Sequence, residues 1–213
     1  NWMGSPGRLN GDQDLYQAVN AVGMELCPAW KMTIPVGKDS LSMATDWVDE
    51  EGKVSSVIAP LSLVISAFSP IKDVNIAVTP QLVSEDSTEL IFIDLAKNKT
   101  RMGGSITSQI ENILSGIPPN VECIKEMPQF VECFYKLLSK KKILACHDRS
   151  DGGLLVSLSE MAFAGRLGVD LEITSICNSK ENFIHTLFNE ELGIIIQIRG
   201  EDLNEVLDTF SIC

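Results

Sequence analysis

The sequence has 213 residues, 17 basic and 29 acidic side chains, and a net charge of −12. That balance lacks the clustered Lys and Arg that displace counterions from a nucleic acid, and 45% apolar with 22% charged residues excludes global disorder. No run of about 18 apolar residues is present, so no membrane-spanning helix is expected.

The opening residues, Asn1-Trp2-Met3-Gly4, lack the basic-then-apolar order of a secretory signal. Together with the missing initiator Met, they point to a cytoplasmic piece of a longer protein. Leu15, Val19, Val22 and Leu26 fall on one 3.6-residue period and predict a helix over 12–27, capped by Asp12 or Asp14 and ended by Pro28. A short strand is expected over Met32–Val36 and a polar loop over 48–56, with Gly52 as its turn. Pro60 opens a strand-like run, Leu61 to Phe68, and Leu90 to Leu95 is a second strand. Helices are predicted over Ser105–Leu114 and Pro128–Ser139, the latter facing inward with Phe130, Phe134, Leu137 and Leu138. Lys140-Lys141-Lys142 reads as a solvated helix end. A strand at Ile143–Cys146, a turn from His147 to Gly153 and a helix ending near Gly165 follow. Val169–Ile173 alternates like a strand, 181–188 reads as helix, Gly193–Ile198 as strand and Asp202–Phe210 as helix. The order lacks a βαβ rhythm and predicts α+β, with a mixed or antiparallel sheet and helices packed on one face. A boundary after residue 57 divides the tail of one domain (1–57) from a second (58–213).

Six cysteines are scattered without a CxxC pair and read as free thiols in a reducing compartment. With only His147 and His185 present, a Cys/His zinc site does not fit. No Ser or Cys nucleophile accompanies either histidine.

Four segments could carry chemistry. In His147-Asp148-Arg149-Ser150-Asp151-Gly152-Gly153 a strand delivers a carboxylate, two glycines allow close backbone approach, and a helix start favours phosphate. A carboxylate beside phosphate implies a bridging Mg²⁺. Asp148 is thus a candidate Mg²⁺ ligand, and Ser150 a candidate nucleotide contact. The alternative is structural: Ser150 or Asp151 caps the helix, and Asp148 pairs with Arg149 or another cation. Gly37-Lys38-Asp39-Ser40 could hold phosphate through Lys38 and substrate through Ser40, or could be a polar turn with a Lys–Asp pair. Arg101 to Ser105 reads as a glycine turn feeding a Ser cap. Glu190-Glu191 could act as acid and base, or could lie on a solvated or domain-contact face.

Several strings resemble phosphoribosylformylglycinamidine synthases of the large, single-chain form. They are Asn1–Met3, Glu25–Pro28, Pro35–Met43, Pro60–Phe68, Thr79–Leu82, Met102–Ser105, His147–Gly165 and Leu187–Gly193, in the same order over essentially the whole chain. The resemblance implies an aminoimidazole ribonucleotide synthetase-like fold. It implies a ligase that uses ATP and glutamine to convert formylglycinamide ribonucleotide into formylglycinamidine ribonucleotide in purine synthesis. It places this chain in the second half of the synthase core, which holds an auxiliary ADP with Mg²⁺ and part of a pseudo-dimer interface. Its partners are then the first synthase half and the glutaminase domain of the same polypeptide. By this resemblance Asp148 is a ligand of the auxiliary Mg²⁺, and Ser150, with Gly152 and Gly153, contacts the nucleotide. The loop Gly37–Ser40 corresponds to one that, in small-form relatives, reaches the catalytic site with an Asn where this chain has Lys38. Phosphate contact by Gly37 and Lys38 and substrate contact by Ser40 are therefore expected. The alternatives are another enzyme of the superfamily, of the selenophosphate synthetase or thiamine-monophosphate kinase type, and a purely structural nucleotide-binding scaffold.

Overall fold

A computed structural model describes residues 1–113, 115–174, 176–177 and 183–211. The chain divides into two units, Asn1–Lys72 and Asp73–Cys213.

In the first unit β1 (Trp2–Met3) lies between β2 (Asp39–Ser40), parallel to it, and β5 (Ser62–Leu63), antiparallel. The predicted helix forms as α1 (Gly11–Asn20), continues as a π-helical stretch Ala21–Leu26, and ends as α2 (Cys27–Ala29). Pro28 lies inside α2, and the helix ends one residue beyond it, at Ala29. Asn10 takes the cap position of α1, and Asp12 instead accepts from Gly7 N at 2.9 Å. Residues 32–38 have no regular structure, so the strand expected there does not form. The expected loop over 48–56 is largely a hairpin, β3 (Ala44–Val48) with β4 (Val54–Ile58). Its turn holds Gly52 at φ +82° and is closed by the Asp49 carboxylate on the N–H groups of Glu51 and Lys53. Ser62–Leu63 of the Pro60–Phe68 run pair with Trp2–Met3 in the sheet of the first unit. The pairing runs one residue beyond the two-residue strands, with Val64 N donating to Asn1 O at 3.0 Å and Asn1 N donating to Val64 O at 2.6 Å. Among the described residues of this unit only Gly4 and Ser5 are buried, and Phe68 is 94% exposed.

The second unit is built on a three-stranded antiparallel sheet. Its central strand β8 (Gly193–Arg199) pairs with β6 (Thr88–Asp94) and β7 (Ile143–Asp148). β8 reads Gly-Ile-Ile-Ile-Gln-Ile-Arg, apolar at both parities, which is the pattern of a strand buried on both sides. Ala145 and Ile195 pack under Leu154, Leu158 and Met161 of α5 (Gly153–Gly165) and Leu187 of α6 (Phe183–Phe188). Ile143, Ile196 and Ile198 pack with Leu137 of α4 (Met127–Ser139) and Val206 of α7 (Leu203–Ser211). The α+β class holds, but helices cover both faces of this sheet instead of one. The run of consecutive isoleucines in β8 is the physical reason. Gln197 within it is satisfied by Val83, accepting from its N–H at 2.8 Å and donating to its carbonyl at 2.9 Å.

Helix α3 (Ile106–Ile110) starts at the predicted cap, with the Ser105 hydroxyl accepting from Ser108 N at 3.2 Å. Leu114, in the helix expected over 105–114, lies outside the described residues, as do 181–182 ahead of α6. Val169–Ile173 has no regular structure, and a groove of about 670 Å³ lies between this segment and β6. The lysine run is not simply solvated. Lys140 reaches Glu205 at 2.7 Å and Lys142 reaches the buried Asp202 at 2.5 Å, tying the end of α4 to α7. Cys27, Cys123, Cys146 and Cys177 are free thiols, whereas Cys133 is disulfide-bonded. Among the described residues no helix is long and apolar enough to cross a membrane.

Candidate functional site

Asp148 is the last residue of β7, and the ladder runs one residue further through Arg149 N, which donates to Gly193 O at 2.8 Å. Extended backbone sends successive side chains to opposite sides. The Asp148 side chain is accordingly 79% exposed, the Arg149 side chain 3%, and Ser150 half-buried. Asp148 does not pair with Arg149. Its Oδ1 lies 3.3 Å from His147 Nδ1, and His147 Nε2 lies 2.9 Å from Glu160 Oε2. No nucleophile touches this histidine among the described residues. The neighbouring thiol of Cys146 is pushed up to about 12 by burial, with the Asp148 charge adding to it, so it is protonated and inert at neutral pH.

Gly152 (φ +83°) and Gly153 (φ +75°) both adopt the left-handed conformation that favours glycine. A Cβ on Gly153 would stand 2.7 Å from the carbonyl oxygens of Leu187 and Asn189. The close approach at this turn is therefore chain against chain, the start of α5 against residues 187–189.

Three of the four segments singled out in the sequence meet here. Glu190 Oε1 accepts from Gly152 N at 2.8 Å and from Ile106 N at 2.9 Å, so one carboxylate oxygen serves the starts of both α5 and α3. A negative group is favoured there by the partial positive charge of a helix N-terminus. Neither Ser150 nor Asp151 caps α5; Glu190 supplies the anion from the other end of the unit. Its neighbour Glu191 turns the opposite way and is fully buried. It takes Arg101 in a fork, with Nε at 2.6 Å and Nη2 at 2.8 Å, and also accepts Arg101 N at 3.0 Å. Arg101 further reaches Glu122 at 2.7 Å. Burial pushes the Glu191 carboxyl up, but the side-chain and backbone hydrogen bonds from Arg101 outweigh it, and the net displacement is downward. Both carboxylates are committed to structure, not to acid–base work. Glu191 does not lie on a solvated face, because Arg101, 90 residues away, repays its burial.

Gly37, Lys38 and Ser40 lie in the first unit. Asp39 and Ser40 form β2, and Lys38 O accepts from Trp2 N at 3.0 Å. Lys38 Nζ donates to Ser40 Oγ at 3.0 Å and to the backbone oxygen of Asp39 at 3.2 Å, not to the Asp39 carboxylate. The predicted site residues therefore fall in two groups, one per unit.

Mg²⁺ keeps several waters and takes one or two carboxylates together with phosphate oxygens. Among the described residues no group of three or more His, Cys, Asp or Glu is arranged to hold a metal. An exposed Asp148 two residues from a Ser150 hydroxyl fits one contributed ligand, not a complete cage. The groove beside β6 is lined by none of the predicted site residues, and Glu85, Glu89, Asp170 and Glu172 make it a poor seat for phosphate.

Comparison with known proteins bears on the whole chain. Residues 1–70 match the FGAR-AT PurM_N-like domain, and residues 93–211 match the AIR synthase related protein, C-terminal domain. A phosphoribosylformylglycinamidine synthase of Schizosaccharomyces pombe is 47% identical over 99% of this chain, which spans 16% of that relative. Among solved structures, E. coli HypE, a hydrogenase maturation protein, shares the fold. It has a TM-score of 0.52 and 13% identity, over 98% of this chain and 60% of that one. PurLQS from Thermotoga maritima aligns with a TM-score of 0.47 and 13% identity, over 87% of this chain and 28% of that one.

Proposed function

The chain belongs to the AIR synthase related family, and on that premise we propose that it is a segment of a large, single-chain phosphoribosylformylglycinamidine synthase. The observation that carries this reading is the 47% identity over 99% of the chain to the fission-yeast enzyme. The whole protein would then convert formylglycinamide ribonucleotide to formylglycinamidine ribonucleotide in the cytoplasm, with the first synthase half and a glutaminase domain on the same polypeptide. ATP would supply the phosphoryl group that activates the substrate amide oxygen, and ammonia from glutamine would displace it.

Within this segment Asp148 would hold Mg²⁺, and the Ser150 hydroxyl would hydrogen-bond an ADP that is kept and not turned over. Gly152 and Gly153 would line that nucleotide, Gly37 and Lys38 would face phosphate, and Ser40 would face substrate. A holding role is supported by Glu190 and Glu191, the carboxylates packed around the turn, both of which are engaged by backbone N–H groups or Arg101. Nucleotide bound only to the folded state adds stability by linkage without chemistry.

Two measurements test the proposal. The purified 213-residue chain should form no product from formylglycinamide ribonucleotide, ATP and ammonia; detectable turnover would overturn its assignment as an inactive half. The full-length protein, denatured after purification, should release about one ADP per chain, and Asp148→Asn should release little and melt at a lower temperature. Equal ADP and equal melting would remove the metal role from Asp148.

A further inference from the structure

We propose that Arg149 is a positioning residue, whose burial aims Asp148 and Ser150 at metal and nucleotide without itself touching either. The inference rests on the nucleotide reading above. In extended backbone, residues one position either side of a buried side chain must face away from it. Arg149 is therefore the residue that decides where its neighbours point, provided that its own burial is secured.

It is secured at every polar atom the structure engages. Nε donates to Glu191 O at 2.5 Å, and Nη2 donates to Leu192 O at 2.8 Å and to Asp94 Oδ1 at 3.1 Å. The guanidinium carbon sits 4.9 Å from the Phe92 ring centroid, within cation–π range. Asp94 is itself held, accepting from Ala96 N at 3.3 Å and Asn98 N at 2.6 Å. These partners belong to the end of β6 and to the approach into β8, while Arg149 continues β7. One planar side chain thus joins all three strands at the edge from which the turn emerges. A lysine at this position offers a point charge, not a fork of directed donors. On the far side of Ser150 the turn is pinned again, by Glu190 on Gly152 N. Between the two pins Ser150 is half-buried and Asp151 exposed, and Asp148, just ahead of the first, is exposed. The Ser150 hydroxyl makes no hydrogen bond among the described residues. Groups that orient a metal ligand typically change metal affinity by about 10–100-fold when removed.

The test uses the full-length protein, with ADP and Mg²⁺ as probes. The reading is the Mg²⁺ concentration at which half the ADP is retained, for wild type, Arg149→Lys, Asp148→Asn and the double variant, with melting temperatures of the nucleotide-free forms alongside. Arg149→Lys should raise that midpoint by about 10–100-fold, and the shift should shrink once Asp148→Asn is present, because the part that acts through Asp148 is then already lost. An unchanged midpoint beside a lowered melting temperature would make Arg149 structural only. Equal shifts with and without Asp148 would likewise overturn the proposal. Should Arg149→Lys fail to fold, Asp94→Asn removes the charge from the same clamp and keeps one acceptor oxygen in place of the two that serve Ala96 and Asn98. It should move the midpoint in the same direction by a smaller factor, and no movement would count against the proposal. An Asp148→Asn midpoint equal to wild type would sink the nucleotide reading itself, a different outcome from a silent Arg149.

Discussion

Glu191→Ala is expected to destabilise the second unit by about 3–5 kcal/mol, the usual cost of removing one partner from a buried ion pair. The carboxylate has no exposed surface and holds Arg101 through both oxygens. Arg149 lies against its backbone oxygen and leans on its charge. Truncation takes the fork from Arg101, which keeps only Glu122 and Asn120 O, and frees Arg101 N, while Arg149 loses a neighbouring charge but keeps its own bonds. Amide exchange along β8 reads the local free energy directly, and a loss under about 1 kcal/mol would contradict the packing described here. Glu191→Gln keeps an acceptor but no charge, and about 1–3 kcal/mol is expected. The same pair fixes a pH window. Burial raises the Glu191 carboxyl, Arg101 lowers it further, and the net folded value lies below the unfolded one. Its contribution is then complete above the unfolded carboxylate value of about 4.3 and is lost as the pH falls through the lowered folded value. Glu191→Gln should be less sensitive to acid across that window than wild type.

Gly153→Ala should cost about 2–5 kcal/mol, adding left-handed strain of about 1–2 kcal/mol to an overpacking cost of about 1–3 kcal/mol. The strain follows from φ +75°, and the overpacking from backbone oxygens 2.7 Å from the new methyl. Those oxygens belong to residues 187–189, whose position is set by Asn189 Nδ2 donating to His185 O and Thr186 O. Displacing them moves Glu190 and Glu191 as well. Gly152→Ala supplies the contrast. Its Cβ would meet Val156 Cγ2 at 2.6 Å and Cβ at 2.9 Å, so a second change, Val156→Ala, should relieve the Cγ2 contact and recover part of the loss, leaving the Cβ contact and the strain. Gly168→Ala, with nothing within 4 Å, should stay within about 0.5 kcal/mol of wild type. Similar losses at Gly153 and Gly168 would show that the close approach has no energetic weight.

Phe130, Phe134, Leu137 and Leu138 recur at helical spacing, and α4 forms where they predict it, with Leu137 fully buried. β6, β7 and β8 are likewise legible, because a strand buried in a sheet must be apolar locally. Ser105 and the glycines at 152–153 mark their turns by side-chain chemistry alone. The first unit was harder to read. β1 and β2 are two residues long and exist only because they lie beside each other, so no periodicity can announce them. The alternation on both sides of Gly52 was obscured by polar residues that a hairpin leaves exposed.

The sequence alone determined most of the local states in the second unit, Val169–Ile173 excepted, the Asp148–Gly153 connection as a strand-to-helix turn, and the family resemblance. Such features depend on neighbours within about one helical turn or strand, whose side chains are adjacent in the chain. Tertiary structure alone decided that Arg101, Glu190, Glu191 and Arg149 would meet around that turn. It also decided that Glu190 and not Ser150 would serve the start of α5, and that the sheet would be covered on both faces. Each of these is a long-range pairing of charge or shape, and a carboxylate in the sequence looks the same whether its cation lies beside it or 90 residues away.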